Sequence, residues 1–273
     1  MTTLGELRSS WDLLLNLTKR DISGKYKRTA LGQLWSLINP VSQMVIFSLV
    51  FSFVMRARPP VGSPSGLDVF ALWLSAALLP WIFFTNVLTG GMGAVLGNSN
   101  LVMKVWFPRY TLVASAALSA LFTFSIEMTV LLVVVTLFGG VPWLYVPGIA
   151  LTMVLLGALG LGLGFMLAIA NVYFRDTSHF VAILLQMWFY ATPIVYPIGL
   201  IQTSAEAHPS WHVMTIYRLN PVERFAEVFR AFVYDNRMPP LGASIFCVVV
   251  PLAVLALGWW VFNRHQGRMA EEL

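Results

Sequence analysis

Apolar residues run along this chain in long blocks, not in the short alternation of a half-buried strand. The stretches at 36–56, 69–96, 111–138, 148–172, 178–196 and 241–262 each carry at most one charged residue. A bilayer core of roughly 30 Å takes about 20 apolar residues as a helix, so each block predicts a membrane span. Two regions depart from the blocks. At the N-terminus Leu4, Leu7, Trp11, Leu14 and Leu15 recur at helical spacing, with Glu6, Arg8, Ser9, Asp12, Asn16 and Lys19 on the other face, the pattern of a helix lying in the membrane interface. Between spans five and six, Asn220-Pro221-Val222-Glu223 reads as a helix start, with Asn as cap and Pro in the first turn. Val222, Phe225, Phe229, Phe232 and Val233 then form one face, and Glu223, Arg224, Glu227 and Arg230 the other. Pro193, Pro197 and Pro209 break the path toward that helix, which predicts a segment dipping back toward the membrane, either as a plug or gate or as a stabilising cap on the bundle.

The fold class that follows is all-α: a polytopic integral membrane protein with six transmembrane helices, an N-terminal amphipathic interface helix and short external re-entrant helices. It forms one transmembrane domain over 1–273. Residues 1–35 are the cytoplasmic interface helix and basic segment, 36–196 spans one to five, 197–240 the external gate segment, and 241–273 span six and a cytoplasmic tail.

Composition supports this division. Hydrophobic residues make up 58% and charged residues 11%, against roughly half and a quarter in soluble domains. The net charge of +5 reflects placement around the spans and does not point to a nucleic-acid partner. Eleven basic residues, including all four lysines (Lys19, Lys25, Lys27, Lys104), fall on one side of the proposed spans, and six on the other. The positive-inside rule then puts both termini in the cytoplasm. Arg56 and Arg58, in the first external loop, run against the trend. Residues 1–30 are polar and basic, unlike a cleaved signal peptide. The single cysteine, Cys247, lies inside the last apolar block, where a buried free thiol is its simplest role.

Catalytic chemistry finds little purchase. No Gly-x-x-x-x-Gly-Lys-Ser/Thr loop is present to cradle phosphates. The glycine-dense segment Gly157, Gly160, Gly162 and Gly164 lies inside a span and reads as a close-packing face, within the chain more often than between copies. His179, His208, His212 and His265 are scattered, so no metal site is expected, and no nucleophile has a base beside it. Glu127 is the one acid in mid-span, where a charge costs about 2.5–3.5 kcal/mol. It is either a pathway residue or a neutral carboxyl bonded to Thr123 or Ser125.

Several motifs resemble, in order, the type-2 ABC exporter permeases for polysaccharides. They are Lys19-Arg20-Asp21, Lys25-Tyr26-Lys27-Arg28, Leu31-Gly32, Leu34-Trp35 and Asn39-Pro40; then Val105-Trp106-Phe107-Pro108-Arg109; then Tyr173-Phe174-Arg175-Asp176; and finally Thr192-Pro193-Ile194-Val195-Tyr196-Pro197 and Asn220-Pro221. Ile22-Ser23-Gly24 departs from the short basic run that such proteins often carry there.

The resemblance implies a half-transporter in the bacterial plasma membrane. A second copy completes the pathway, two ATP-binding-cassette subunits hold ATP-Mg, and the substrate is an O-antigen, galactan, teichoic acid or capsule chain on a polyprenyl carrier. This chain itself would hold no cofactor. It also implies roles for residues. Phe47, Phe51, Trp188, Phe189, Tyr190 and Tyr196, with Glu127, become candidates for the substrate pathway, since rings can stack on sugars. Asn220, Pro221, Phe225 and Phe229 become the external gate. Lys104, Trp106, Phe107 and Arg109 in the loop after span two, with Arg175 and Asp176, become the surface that meets the ATPase. The competing classes are an integral-membrane enzyme of envelope glycan or lipid biosynthesis and an ABC exporter of a non-glycan substrate.

Overall fold

The computed structural model describes residues 4–27, 29, 31–55, 59–105, 107–199, 201, 213–267 and 269. Among these the regular structure is entirely helical. In chain order the α-helices are α1 (Leu4–Tyr26), α2 (Trp35–Phe47), α3 (Phe70–Ala94), α4 (Ser99–Lys104), α5 (Tyr110–Leu137), α6 (Val146–Tyr173), α7 (Thr177–Tyr190), α8 (Val213–Leu219), α9 (Pro221–Arg230) and α10 (Leu241–His265). Wider π-helical turns continue α2 over Ser48–Val54 and α9 over Ala231–Asp235.

Among the described residues four helices are long and apolar enough to cross a membrane: α3, α5, α6 with its leading turn from Pro142, and α10. Their ends lie within three residues of the blocks at 69–96, 111–138, 148–172 and 241–262. The other two blocks behave differently. Of the block at 36–56, residues 36–54 form α2 and its π-helical continuation, with Pro40 inside α2. The block at 178–196 is not one helix. α7 has 14 residues, about 21 Å at 1.5 Å per residue, which is short of a bilayer core. Pro193 has no N–H to continue the ladder, and its ring disfavours the helical conformation at Thr192, so residues 191–196 turn instead.

α3 is the centre of the bundle, and residues 70–81 are buried without interruption. A helix apolar on all sides can be buried on all sides. The glycines of α6 explain how its neighbours come so close. Gly157 faces Phe83, Gly160 faces Val87, and a methyl on Gly91 would sit 3.3 Å from the Gly164 Cα. Gly162 turns to the other side, where a Cβ would lie 2.7 Å from the backbone of Val254 and Leu255. Across this second seam a Cβ on Gly258 would run into the Gly162 carbonyl. The small-residue stripe therefore packs within the chain, against α3 on one side and α10 on the other.

The core divides into two ends. At the end near the termini, Leu17 of α1 packs with Val95, Leu112, Phe165, Phe262 and Met269. At the distal end, Phe70, Phe124, Met128, Phe225, Phe229 and Tyr234 belong to the larger cluster. α1 forms as its spacing predicts and lies against α5. Leu17 and Thr18 face the bundle, while Trp11 and Leu15 stay exposed for the interface.

Candidate pathway and coupling sites

The distal end is organised by two polar side chains. Asn220 caps α9 as expected, its Oδ1 accepting from the Val222 N–H at 3.1 Å. The same oxygen accepts from Trp188 Nε1 at 2.9 Å, and Asn220 Nδ2 donates to Thr192 Oγ1 at 2.9 Å. One side chain thus fastens the end of α7 to the start of α9. The reciprocal half of a capping box is not made, because the Asn220 N–H donates to the Tyr217 carbonyl and leaves Glu223 free to turn elsewhere.

Arg230 closes the other end of α9. Its Nη1 donates to the Pro193 carbonyl at 2.8 Å and Nη2 to the Ile194 carbonyl at 2.7 Å, with Nε 3.4 Å from the Trp73 carbonyl. The guanidinium carbon lies 3.8 Å from the centre of the Trp73 ring. The turn after α7 is therefore clamped to the start of α3. These carbonyls are free because Pro193 ends α7, and a planar fork of donors suits two adjacent acceptors.

The predicted polar face of α9 is not a solvated one. Glu223 is only 2% exposed, and burial, reinforced by Glu227 and opposed by Arg224, Arg218 and Arg230, pushes its carboxyl up to about 7. Glu227 accepts from Arg224 at 2.8 Å. On the other face, Phe225 and Phe229 are buried, and Phe229 meets Phe124 edge-on at 6.0 Å between ring centres. These two gate candidates serve as core anchors for the segment.

The aromatic candidates fall into two groups that meet α3. Phe47 packs beside Phe51, which stacks on Phe70 at 4.7 Å. Trp188 and Phe189 pack on Trp81, and Trp188 also meets Phe84 edge-on. Tyr196 donates to the Tyr190 carbonyl at 2.8 Å. Tyr190 points outward. With Phe180, Ile183, Leu184 and Met187 it forms an exposed apolar stripe at helical spacing along α7.

Glu127 is half-buried on α5. Thr123 and Ser125, its expected partners, donate instead to the carbonyls of Ser119 and Leu121 one turn back. The opposite charge that Glu127 feels is Lys25 of α1. Asp21, one turn before Lys25, accepts from Ser115 of α5 at 3.0 Å.

At the end near the termini, Lys104 is exposed in the last turn of α4, and Arg175 and Asp176 are exposed between α6 and α7. Phe107 and Arg109 turn into the chain. Phe107 packs on the cluster around Leu17 and Val95, and Arg109 donates to the Gln266 carbonyl in the tail. Trp106, His208 and His212 lie outside the described residues. Among the described residues no group of His, Cys, Asp and Glu is placed to hold a metal ion.

Residues 12–234 match the family described as ABC-2 type transporter. The chain belongs to that family. The match runs from within α1 to the π-helical turn after α9 and so covers the segment that Asn220 and Arg230 organise. Relatives align along almost the whole length. An O-antigen export system permease protein of Myxococcus xanthus is 29% identical over 98% of both chains. One of the same name from Klebsiella pneumoniae is 27% identical over 96% of this chain and 95% of its own. A polysialic acid transport protein of Escherichia coli is 21% identical over 92% of each.

The sequence placed Glu223 and Arg230 on the polar face of α9 but did not predict the burial of Glu223 or the clamp of Arg230 on Trp73 and the α7 turn. Glu223, Glu227 and Arg230, spaced four and three apart on one helix behind a proline-rich turn, were the available signal.

Proposed function

We propose that this chain is the membrane subunit of an ATP-driven exporter that moves a lipid-linked polysaccharide outward across the bacterial plasma membrane. The observation that carries the reading is full-length similarity to proteins named for O-antigen export and polysialic acid transport. Two copies form one pathway. The exposed stripe of Phe180, Ile183, Leu184, Met187 and Tyr190 supports this, since a continuous apolar face of that kind marks a packing surface for lipid or for another helix. Two ATP-binding-cassette subunits hold ATP-Mg and drive the cycle, because this chain has no phosphate loop. Lys104, Arg175 and Asp176, exposed at the end near the termini, suit the docking surface, while Phe107 and Arg109 hold their loop in place from behind. The basic asymmetry supports cytoplasmic termini and six crossings, with α2 and the α7 turn region as the first and fifth.

Export is tested by deleting the gene in the organism that carries it. The reading expects surface polysaccharide to disappear and lipid-linked glycan to accumulate on the inner side, with both reversed by the wild-type chain. Unchanged surface polysaccharide in the deletion strain would refute it.

A further inference from the structure

A cavity of about 370 Å³ lies beneath the turn after α7 at the distal end, within the roughly 300–1,000 Å³ range of small-ligand sites. Pro60, Pro193, Pro197 and Ile198 give it apolar walls, and Glu223 lines it. Glu223 also borders a second space of about 420 Å³ on the side of Arg218 and Ala243.

The charges around this cavity are almost all committed. The Arg230 guanidinium is held by the carbonyls of Pro193, Ile194 and Trp73. Arg237 pairs with Asp235 at 3.0 Å, and Glu227 with Arg224 at 2.8 Å. The exception is Glu223 Oε2. It is buried and has no hydrogen-bond partner, and its nearest cation, Arg224 Nε, stands 3.7 Å away. A buried carboxylate oxygen without a donor is costly, and native structures usually satisfy such groups. What would satisfy it is a donor from a bound molecule, and Glu223 lines the cavity from which one could approach. A second anion would be repelled by Glu223 and Glu227, and among the described residues no group of His, Cys, Asp and Glu is placed to hold a metal ion. A neutral ring carrying hydroxyl donors and an apolar C–H face matches both the oxygen and the proline walls.

The geometry points to this cavity as a binding subsite for a neutral glycosyl unit, with Glu223 accepting hydrogen bonds from sugar hydroxyls. The inference rests on the export reading and adds to it a place where the glycan is held at the distal end. The groups facing Glu223 are Glu227, Arg224, Arg218 and Arg230, with Asp235 and Arg237 across the cavity and Cys247 on α10. Because Glu223 titrates near 7, its stronger, ionised acceptor form dominates above that pH, so binding strengthens from about pH 6 to about pH 8.

The test is saturation-transfer NMR on the full chain in detergent. The probe is the neutral oligosaccharides released by mild acid from the producing cell's own surface polysaccharide. Wild-type protein is expected to give a signal that rises with pH. In Glu223→Gln, with thermal unfolding unchanged, it is expected to fall by roughly tenfold and lose its pH dependence, as loss of a charge-assisted hydrogen bond implies. Pro197→Phe, which fills the cavity from its other wall and leaves Glu223 intact, is expected to abolish the signal as well. No transfer to wild type, or wild-type transfer in either variant, overturns the subsite. Gene deletion separates this from the parent reading. If surface polysaccharide survives deletion, the export reading falls; if deletion removes it while Glu223→Gln binds and exports normally, only the subsite falls.

Discussion

The α3–α6–α10 stack and the α7–α9 segment are held together by opposite means. In the stack, Gly162 and Gly258 bring two backbones into contact, and Gly91 and Gly164 do the same on the α3 side. Contacts of that kind leave no room for a second arrangement. In the distal segment Phe225 and Phe229 anchor α9 in the core, and hydrogen bonds from Asn220 and Arg230 fasten the α7 turn to it. Each of those bonds can be exchanged for another without opening the apolar core. The glycine seams are therefore expected to be the stiffer of the two joints, and the polar fastenings beside the α7 turn the easier to loosen.

The seam should be the more fragile under mutation. Gly258→Leu drives a side chain into the Gly162 carbonyl, and the expected result is loss of monodisperse folded protein in detergent, read by size-exclusion chromatography. A normal yield would mean that the two helices can separate, and the contrast between the regions would fail.

Arg230→Gln should come next. It orphans the carbonyls of Pro193 and Ile194, at about 1–3 kcal/mol for each buried acceptor left unpaired. The protein should still fold, with a clearly lowered Tm and faster amide exchange confined to the distal end. Exchange that also rises along α3 would show that the clamp supports the frame.

Asn220→Ala should cost less, about 1–2 kcal/mol for the lost cap together with the lost contact to Trp188. Asn220→Asp, which keeps the acceptor for Val222 and Trp188 but not the donor to Thr192, should fall between alanine and wild type. Equal losses for the two variants would make the donor bond to Thr192 alone responsible, since aspartate keeps the cap.

Lys104→Glu should have the smallest effect on the fold, because the side chain is exposed and points away from the bundle. Tm is expected to stay at the wild-type value while co-purification of the ATPase subunit declines. Undiminished co-purification would move the docking surface to Arg175 and Asp176.

The same contrast governs what could be read from the sequence. The four long apolar helices were legible because each is an unbroken apolar block of spanning length, whether protein or another apolar medium surrounds it, and the boundaries follow from where polar residues resume. The Asn220 cap was legible because capping is local, acting within three residues. The end of α7 at Thr192-Pro193 was also written locally, but the apolar run through Ile194 and Val195 masked it. The Arg230 clamp was not legible, since Trp73 lies 157 residues away and no periodicity links them. The burial of Glu223 was not legible for the same reason. A helical wheel separates polar from apolar, but only the turn of residues 193–199 folding over α9 turns that polar face into a cavity wall. Glu127 followed suit: its neighbours on α5 were reasonable partners until α1 placed Lys25 within electrostatic reach.

Composition of the purified assembly tests the central claim, that this chain is the membrane half of an ATP-driven transporter, most directly. Native mass spectrometry of the complex from membranes should give two copies of this chain with two ATP-binding subunits, and the chain freed of that partner should neither bind nor hydrolyse ATP. A stable assembly without any ATPase, or stoichiometric ATP binding by the isolated chain, would contradict it.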